Sequence, residues 1–329
     1  MNSYDNEFIK FDTIKIRTKK EYLINRFVEF RENRDYTNGN IIGIDYISKN
    51  DKSIPYNLYI AVSYPSQSLT LEFSSKVLLD DYPKLITHST FKQCINNINK
   101  LGICTLDTDA IYRDCYITGD VTKDIEYQLS HNDYCTLNRC VGNYRLYKWE
   151  HYENQGIRFF KDVTTKKLKE SLVIYDKEKE IEKNKDFLSM VDNSKNIIDY
   201  FKGKTRFEIV LDKEYKMKKY LNIPTTHINN VFTSKANPLL IQFNKIFGNG
   251  EIMDTSNIKN AETYEMMKNL QSCDGNLKQI EQELKDYNIY SSRSGLTEKM
   301  KKYKQLHTEM YNKTHNSSNI LTSIRQKLT

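Results

Sequence analysis

Short runs of alternating apolar and polar residues, broken at irregular intervals by helix-period stretches, fill the first two-thirds of this 329-residue chain. That irregular order is what most limits the folds open to it. Residues 14–17 and 41–48 read as strands around a helix expected near residues 21–30. Residues 58–64 and 69–73 read as a hairpin turning at Pro65-Ser66-Gln67. There follow a helix-period segment over 91–101, a strand around Asp120, ribbons at 144–150 and 156–160, a strand at Tyr175, a helical stretch over 186–201 and a strand at Glu208. A doubly wound sheet would alternate strand and helix steadily, so this order predicts an α+β fold with a mainly antiparallel sheet. Pro224 and the polar run 225–230 mark a boundary. Beyond it the pattern is helical, with Leu239, Leu240, Phe243 and Phe247 at inward spacing and a Ser317-Ser318 turn expected before the last helix. The expected division is residues 1–234 as one domain and 235–329 as a helical C-terminal region.

Composition removes several classes of function. Hydrophobic residues make up 38% and aromatics 12%, enough for a sizeable core. No apolar run approaches ~18 residues and the N-terminus lacks a basic-then-apolar leader, so no membrane partner is expected and the cytoplasm is the expected compartment. The six cysteines lack paired spacing and are expected as reduced thiols. Cys135 and Cys140, with His131 and His151, match no standard zinc spacing. Gly203-Lys204-Thr205 resembles the end of a phosphate loop, but Ile198 stands where that loop needs glycine, so no ATPase module is expected.

Three strand-like strings carry chemistry. In Cys115-Tyr116-Ile117-Thr118-Gly119-Asp120-Val121-Thr122, alternation puts Asp120 opposite Ile117 and Val121. In Thr205-Arg206-Phe207-Glu208-Ile209-Val210-Leu211, Glu208 lies opposite Phe207, Ile209 and Leu211. Each acid alone reads as solvated; together they offer two hard oxygen ligands to a divalent ion, with Glu180 or Glu178 as a third. Leu172-Val173-Ile174-Tyr175-Asp176-Lys177-Glu178-Lys179-Glu180 places a phenol where an apolar strand meets charge. A tyrosine there is ordinarily a packing residue, but near a cation it can attack phosphate. Lys177, two residues on, shares the Tyr175 face if the strand persists.

These strings, in this order and approximate spacing, resemble the filamentous-phage gene II/X family of rolling-circle replication initiators, related to the Rep_trans plasmid initiators. Residues 69–79 and 91–101 are similar to the family's strand, turn and helix. Thr118-Gly119-Asp120-Val121-Thr122 is similar to its Arg-Ile-Asp-x-Thr strand. Leu172 to Glu180 matches Leu-x-x-Tyr-x-Lys-x-x-Glu, and Thr205-Arg206-Phe207-Glu208 matches Val-Arg-Phe-Glu. The resemblance covers about residues 55–222. It implies a split-ferredoxin-like nuclease domain, Tyr175 as the covalent nucleophile assisted by Lys177, and Asp120, Glu208 and Glu180 as ligands of Mg²⁺ or Mn²⁺. Two departures are Gly119, where a branched apolar residue is common, and Thr118, where arginine is.

The net charge of +7 is concentrated in lysine runs at 166–169, 213–219 and 299–304, which suits a polyanion. The basic and aromatic ribbon Tyr144, Arg145, Tyr147, Lys148, Trp149, His151, Tyr152, Arg158, Phe159, Phe160 suits either base stacking or core packing. The expected function is therefore a plasmid or phage replication initiator that nicks one origin strand through a phosphotyrosine and rejoins the displaced strand. Expected partners are duplex and single-stranded origin DNA, a host helicase and a second copy of the chain. A non-catalytic origin-binding protein is the alternative, and it would not need Tyr175, Asp120 and Glu208 together. The C-terminal region is expected to bind DNA, self-associate or cover the sheet.

Overall fold

The computed structural model describes residues 8–51, 53–142, 144, 146–152, 155–163, 170–248, 260–273, 275–311 and 316–329. Arg145 and the lysine run 166–169 lie outside them. The chain folds as α+β in two compact units: residues 1–124, 177–204 and 208–238 form the first, and residues 125–176, 205–207 and 239–329 the second.

Strands of the first unit are β1 (Phe11–Lys19), β2 (Leu23–Arg26), β3 (Arg31–Arg34), β4 (Ile41–Ile47), β5 (Leu58–Ser63), β6 (Ser68–Ser74), β7 (Cys104–Leu106) and most of β8 (Tyr116–Ile125). The order β3-β4-β5-β6-β1-β8 is antiparallel throughout. The 58–63 and 68–74 hairpin forms as expected, with Gln67 at φ 49° closing its turn. One face of this sheet is apolar: Ile14 and Ile16 of β1, Leu69, Leu71 and Phe73 of β6, and Leu58, Ile60 and Val62 of β5 are all buried. The helix Phe91–Lys100 buries Phe91, Cys94, Ile95 and Ile98, the i, i+3, i+4, i+7 stripe of an amphipathic helix. Each such side chain contributes roughly 1.5–3 kcal/mol on burial.

The helix expected near residues 21–30 is absent. A 3-10 turn over Lys20–Tyr22 leads into β2, which pairs with β7 through Leu23↔Leu106 and Arg26↔Cys104, and β3 then takes the sheet edge. Non-local pairing outweighs the local pattern here, because Leu23-Ile24 and Phe27-Val28 are adjacent apolar pairs that suit extended backbone at least as well as a helix.

In the second unit β9 (Tyr147–Tyr152), β10 (Gly156–Lys161) and β11 (Ser171–Asp176) form an antiparallel ribbon. Residues 205–207 begin β12 (Thr205–Leu211), which neighbours β11 there, and its remainder 208–211 belongs to the first unit beside β8. The helix His131–Arg139 starts on a reciprocal capping box between Ser130 and Asp133. From residue 239 on, the described structure is helical, ending with Ala261–Ser272, Leu277–Asp286, Arg293–Tyr311 and Asn316–Leu328.

These helices do not stand apart as an appendage. Phe247 meets Phe159 of β10 edge-on at 5.1 Å, Phe243 meets Phe207 of β12 at 6.4 Å, and the two helix rings are 4.5 Å apart. Region 239–329 thus shares a core with 125–176, and the expected 1–234 and 235–329 division gives way to interleaved units. The Ser317-Ser318 turn is also absent, since both residues lie inside Asn316–Leu328. All six cysteines are free thiols, and among the described residues no helix is long and apolar enough to cross a membrane.

Candidate active site

Opposite the apolar face of the first unit's sheet, β1 exposes Lys15, Arg17 and Lys19 in alternation. At its start the pairing with β8 slips: Phe11 faces Val121 and Thr13 faces Asp120, leaving Asp12 as the extra residue of a β-bulge. Gly119 explains how the strands come so close. A Cβ on it would lie 2.3 Å from the Thr13 carbonyl oxygen and 3.0 Å from Phe11 Cδ1, so a branched residue does not fit. The bulge turns Asp12 toward Ser75, whose Oγ donates to Asp12 Oδ1 at 2.6 Å.

Asp120 is thereby set among carboxylates. Burial first, then the charges of Glu208, Asp12, Asp212 and Glu72 in that order, push its carboxyl up to about 7. Two of these neighbours have cationic partners: Lys15 Nζ is 3.4 Å from Glu72, and the buried Lys216 donates to Asp212 Oδ1 at 2.7 Å, with Lys213 at 3.9 Å. The sequence-assigned pair Asp120 and Glu208 therefore shares one electrostatic environment, in which Asp12, Glu72 and Asp212 are additional acids.

The other assigned residues are placed differently. β11 ends at Asp176 and the helix Lys177–Lys183 begins at once, so Lys177 does not share a strand face with Tyr175. Lys177 is 1% exposed, bonded to Glu180 Oε2, and its ammonium lies 5.3 Å and 5.6 Å from the Tyr82 and Phe201 ring centres. Glu180 also accepts from Asn184 Nδ2 at 2.6 Å and lies 3.7 Å from Lys76. Glu178 accepts from the Gly203 backbone N–H at 3.0 Å. The basic run 299–304 is partly paired as well, since Lys299 and Lys302 both bond Glu262, at 2.9 and 3.0 Å.

Tyr175 belongs to the second unit, half-buried on β11. Its register partner is Gly156, where a Cβ would come within 2.6 Å of Tyr175 Cβ. Tyr147 is 2% exposed, its hydroxyl faces Glu170, and burial pushes its phenol up to about 12, which makes it a poor nucleophile. Tyr152 is 41% exposed.

Among the described residues no three His, Cys, Asp or Glu side chains meet as a ready-made metal-holding group. The donor chemistry of the Asp120 cluster does suit a hard divalent cation: the donors are carboxylate oxygens whose mutual repulsion such an ion relieves. Comparison with family models, with curated proteins and with solved structures finds no match to this chain.

Proposed function

We propose that the chain is a replication initiator of the split-ferredoxin-like nuclease type, nicking one strand of a plasmid or phage origin and later rejoining it. The observation that carries this reading is the Asp120 carboxyl, lifted to about 7 by burial and by Glu208, Asp12, Asp212 and Glu72 on a sheet face lined by exposed lysine and arginine. Acids gathered so that one resists ionisation cost stability unless a cation uses them, which favours a working site over a structural one. Asp120 and Glu208 would hold Mg²⁺ or Mn²⁺, with Asp12 the third donor in preference to Glu180, which is engaged by Lys177, Lys76 and Asn184. Bound there, the ion would neutralise charge on the scissile phosphate.

Tyr175 is the nucleophile in this reading. Its phenolic oxygen bonds to phosphorus, the phosphorus–oxygen bond to the leaving deoxyribose breaks, and the phenolic proton passes to the released hydroxyl. The phosphotyrosine conserves the bond energy for religation. A host helicase would supply unwinding, in the cytoplasm of the host cell.

The test is incubation with supercoiled plasmid bearing the cognate origin and Mg²⁺ or Mn²⁺. A relaxed product carrying covalently attached protein is expected, dependent on metal and on the Tyr175 hydroxyl. Relaxation without an adduct, or an adduct on another residue, would overturn the assignment.

A further inference from the structure

The second unit presents a surface made by alternate residues of β9, β10 and β11. Register fixes its rows: Tyr152, Gly156 and Tyr175 lie side by side, then Glu150, Arg158 and Val173, then Lys148, Phe160 and Ser171. Directly paired residues point the same way, and Ile157 and Phe159, on the opposite face, are fully buried, Phe159 against Phe247. With strands ~4.8 Å apart, the two tyrosine Cα atoms are roughly 10 Å from each other, and Gly156 between them carries no side chain because Tyr175 Cβ and the Ile174 carbonyl oxygen lie within 2.6 Å of where its Cβ would be.

Arg158 stands one row away, about 6.8 Å along the strand. Its Nε is buried without a hydrogen-bond partner, its guanidinium sits 5.9 Å from the Phe160 ring centre, and it forms no ion pair among the described residues. Glu150 is its register partner and does not neutralise it. A guanidinium beside an aromatic ring and outside any ion pair is suited to a phosphate, which its terminal N–H groups, not the buried Nε, would meet. Lys148 adds a second cation in the next row, its side chain 46% exposed and its ammonium 4.0 Å from the exposed Asp162 carboxylate.

Resting on the nicking reading above, we propose that this face receives single-stranded DNA beside the scissile phosphate. Arg158 contacts a backbone phosphate, and the exposed ring of Tyr152, in the same row as Tyr175, stacks on an unpaired base. Tyr152 and Arg158 are positioning residues.

The test uses the full chain carrying Tyr175→Phe, so that binding is read without cleavage, and a short fluorescein-labelled single-stranded oligonucleotide of mixed sequence followed by anisotropy. Arg158→Met is expected to weaken binding roughly tenfold and to flatten the log–log salt slope by about 0.7, the loss of one phosphate contact on a single strand. Arg158→Lys should keep the slope and lose part of the affinity. Tyr152→Leu should weaken binding roughly tenfold while Tyr152→Phe does not, because stacking needs the ring and not the hydroxyl. Glu150→Gln should tighten binding. Parent-like affinity and slope in both Arg158→Met and Tyr152→Leu would overturn the inference, as would absence of single-strand binding by the parent. Parent-like binding in those variants, together with plasmid nicking by the chain that retains Tyr175, would remove this inference alone. The predicted losses, with no nicking by the chain that retains Tyr175, would count against the nicking reading alone.

Discussion

Replacing Asp120 with asparagine tests the carboxylate cluster through stability, independently of any DNA. Raising a carboxyl from its usual 3.8 to about 7 means that its charge is disfavoured in the folded protein by about 4 kcal/mol. The folded-state value is the higher one, so the native state holds the proton more tightly than the unfolded chain does. Below pH 3.8 the group contributes no difference; above that it costs about 1.4 kcal/mol per pH unit, and the cost is complete above about pH 7. Asparagine keeps the shape and removes the charge. Between about pH 5 and about pH 7 the stability of Asp120→Asn relative to the parent should therefore grow by about 3 kcal/mol, then level off.

Urea unfolding of both proteins across about pH 5 to about pH 8.5 measures this as a difference, so the titration of other groups cancels to first order. Those facing Asp120 are Glu208, Asp12, Asp212 and Glu72, with Lys15 and Lys216 bound to the last two. Mg²⁺ or Mn²⁺ provides a second axis: ion at tenfold its dissociation constant should add about 1.4 kcal/mol to the parent at about pH 8 and little to Asp120→Asn. A stability difference that stays flat with pH would show that Asp120 titrates as an ordinary exposed acid, and the argument for a built site would fail.

Tyr175→Phe should fold and bind DNA like the parent and give no covalent adduct on denaturing gels; a retained adduct would shift attention to Tyr152, since Tyr147 is buried. Gly119→Ala should destabilise by roughly 1–3 kcal/mol in urea unfolding, because its methyl meets backbone at 2.3 Å, and should reduce nicking by moving Asp12. Phe247→Ala should destabilise by roughly 3–5 kcal/mol through the cavity left against Phe159 and Phe243. A chain truncated after Asn237 should be insoluble or bind a hydrophobic dye strongly, having lost the rings that cover Phe159 and Phe207; a soluble, cooperatively unfolding fragment would contradict the shared core.

Asp120 and Glu208 were legible because a half-buried strand announces itself by period-two alternation, and an acid on its polar face is visible in the string. The hairpin at 58–74 and the amphipathic 91–100 helix were legible for the same reason. Region 239–329 showed its helical period but not its partner. Phe243 and Phe247 look alike whether they face one another or a distant ribbon, and their contacts with Phe159 and Phe207 are long-range facts absent from any local window.

Two misplacements at the site arise where one period stops. After Asp176 the backbone leaves the strand, and Lys-Glu-Lys-Glu-Ile-Glu-Lys is a run of good helix formers with acids in its first turn, which the helix dipole favours. Extending the Tyr175 alternation past that point assigned Lys177 to a face it does not share. At the other end, Phe11 and Ile14 are both buried although three residues apart, a spacing that strict alternation forbids and a bulge allows. That misfit, together with a glycine inside the facing strand, was the available sign that Asp12 leaves the regular pairing and adds its charge to the surroundings of Asp120. The glycine that departs from the resembled pattern and the acid that the pattern does not contain thus have one physical cause, the tight crossing of β1 on β8. If the cation is held by Asp12 in place of Glu180, Asp12→Asn should weaken Mn²⁺ binding as much as Glu208→Gln does, and Glu180→Gln should leave it unchanged by calorimetry. The opposite ranking would return the third ligand to the helix and leave the bulge a purely structural device.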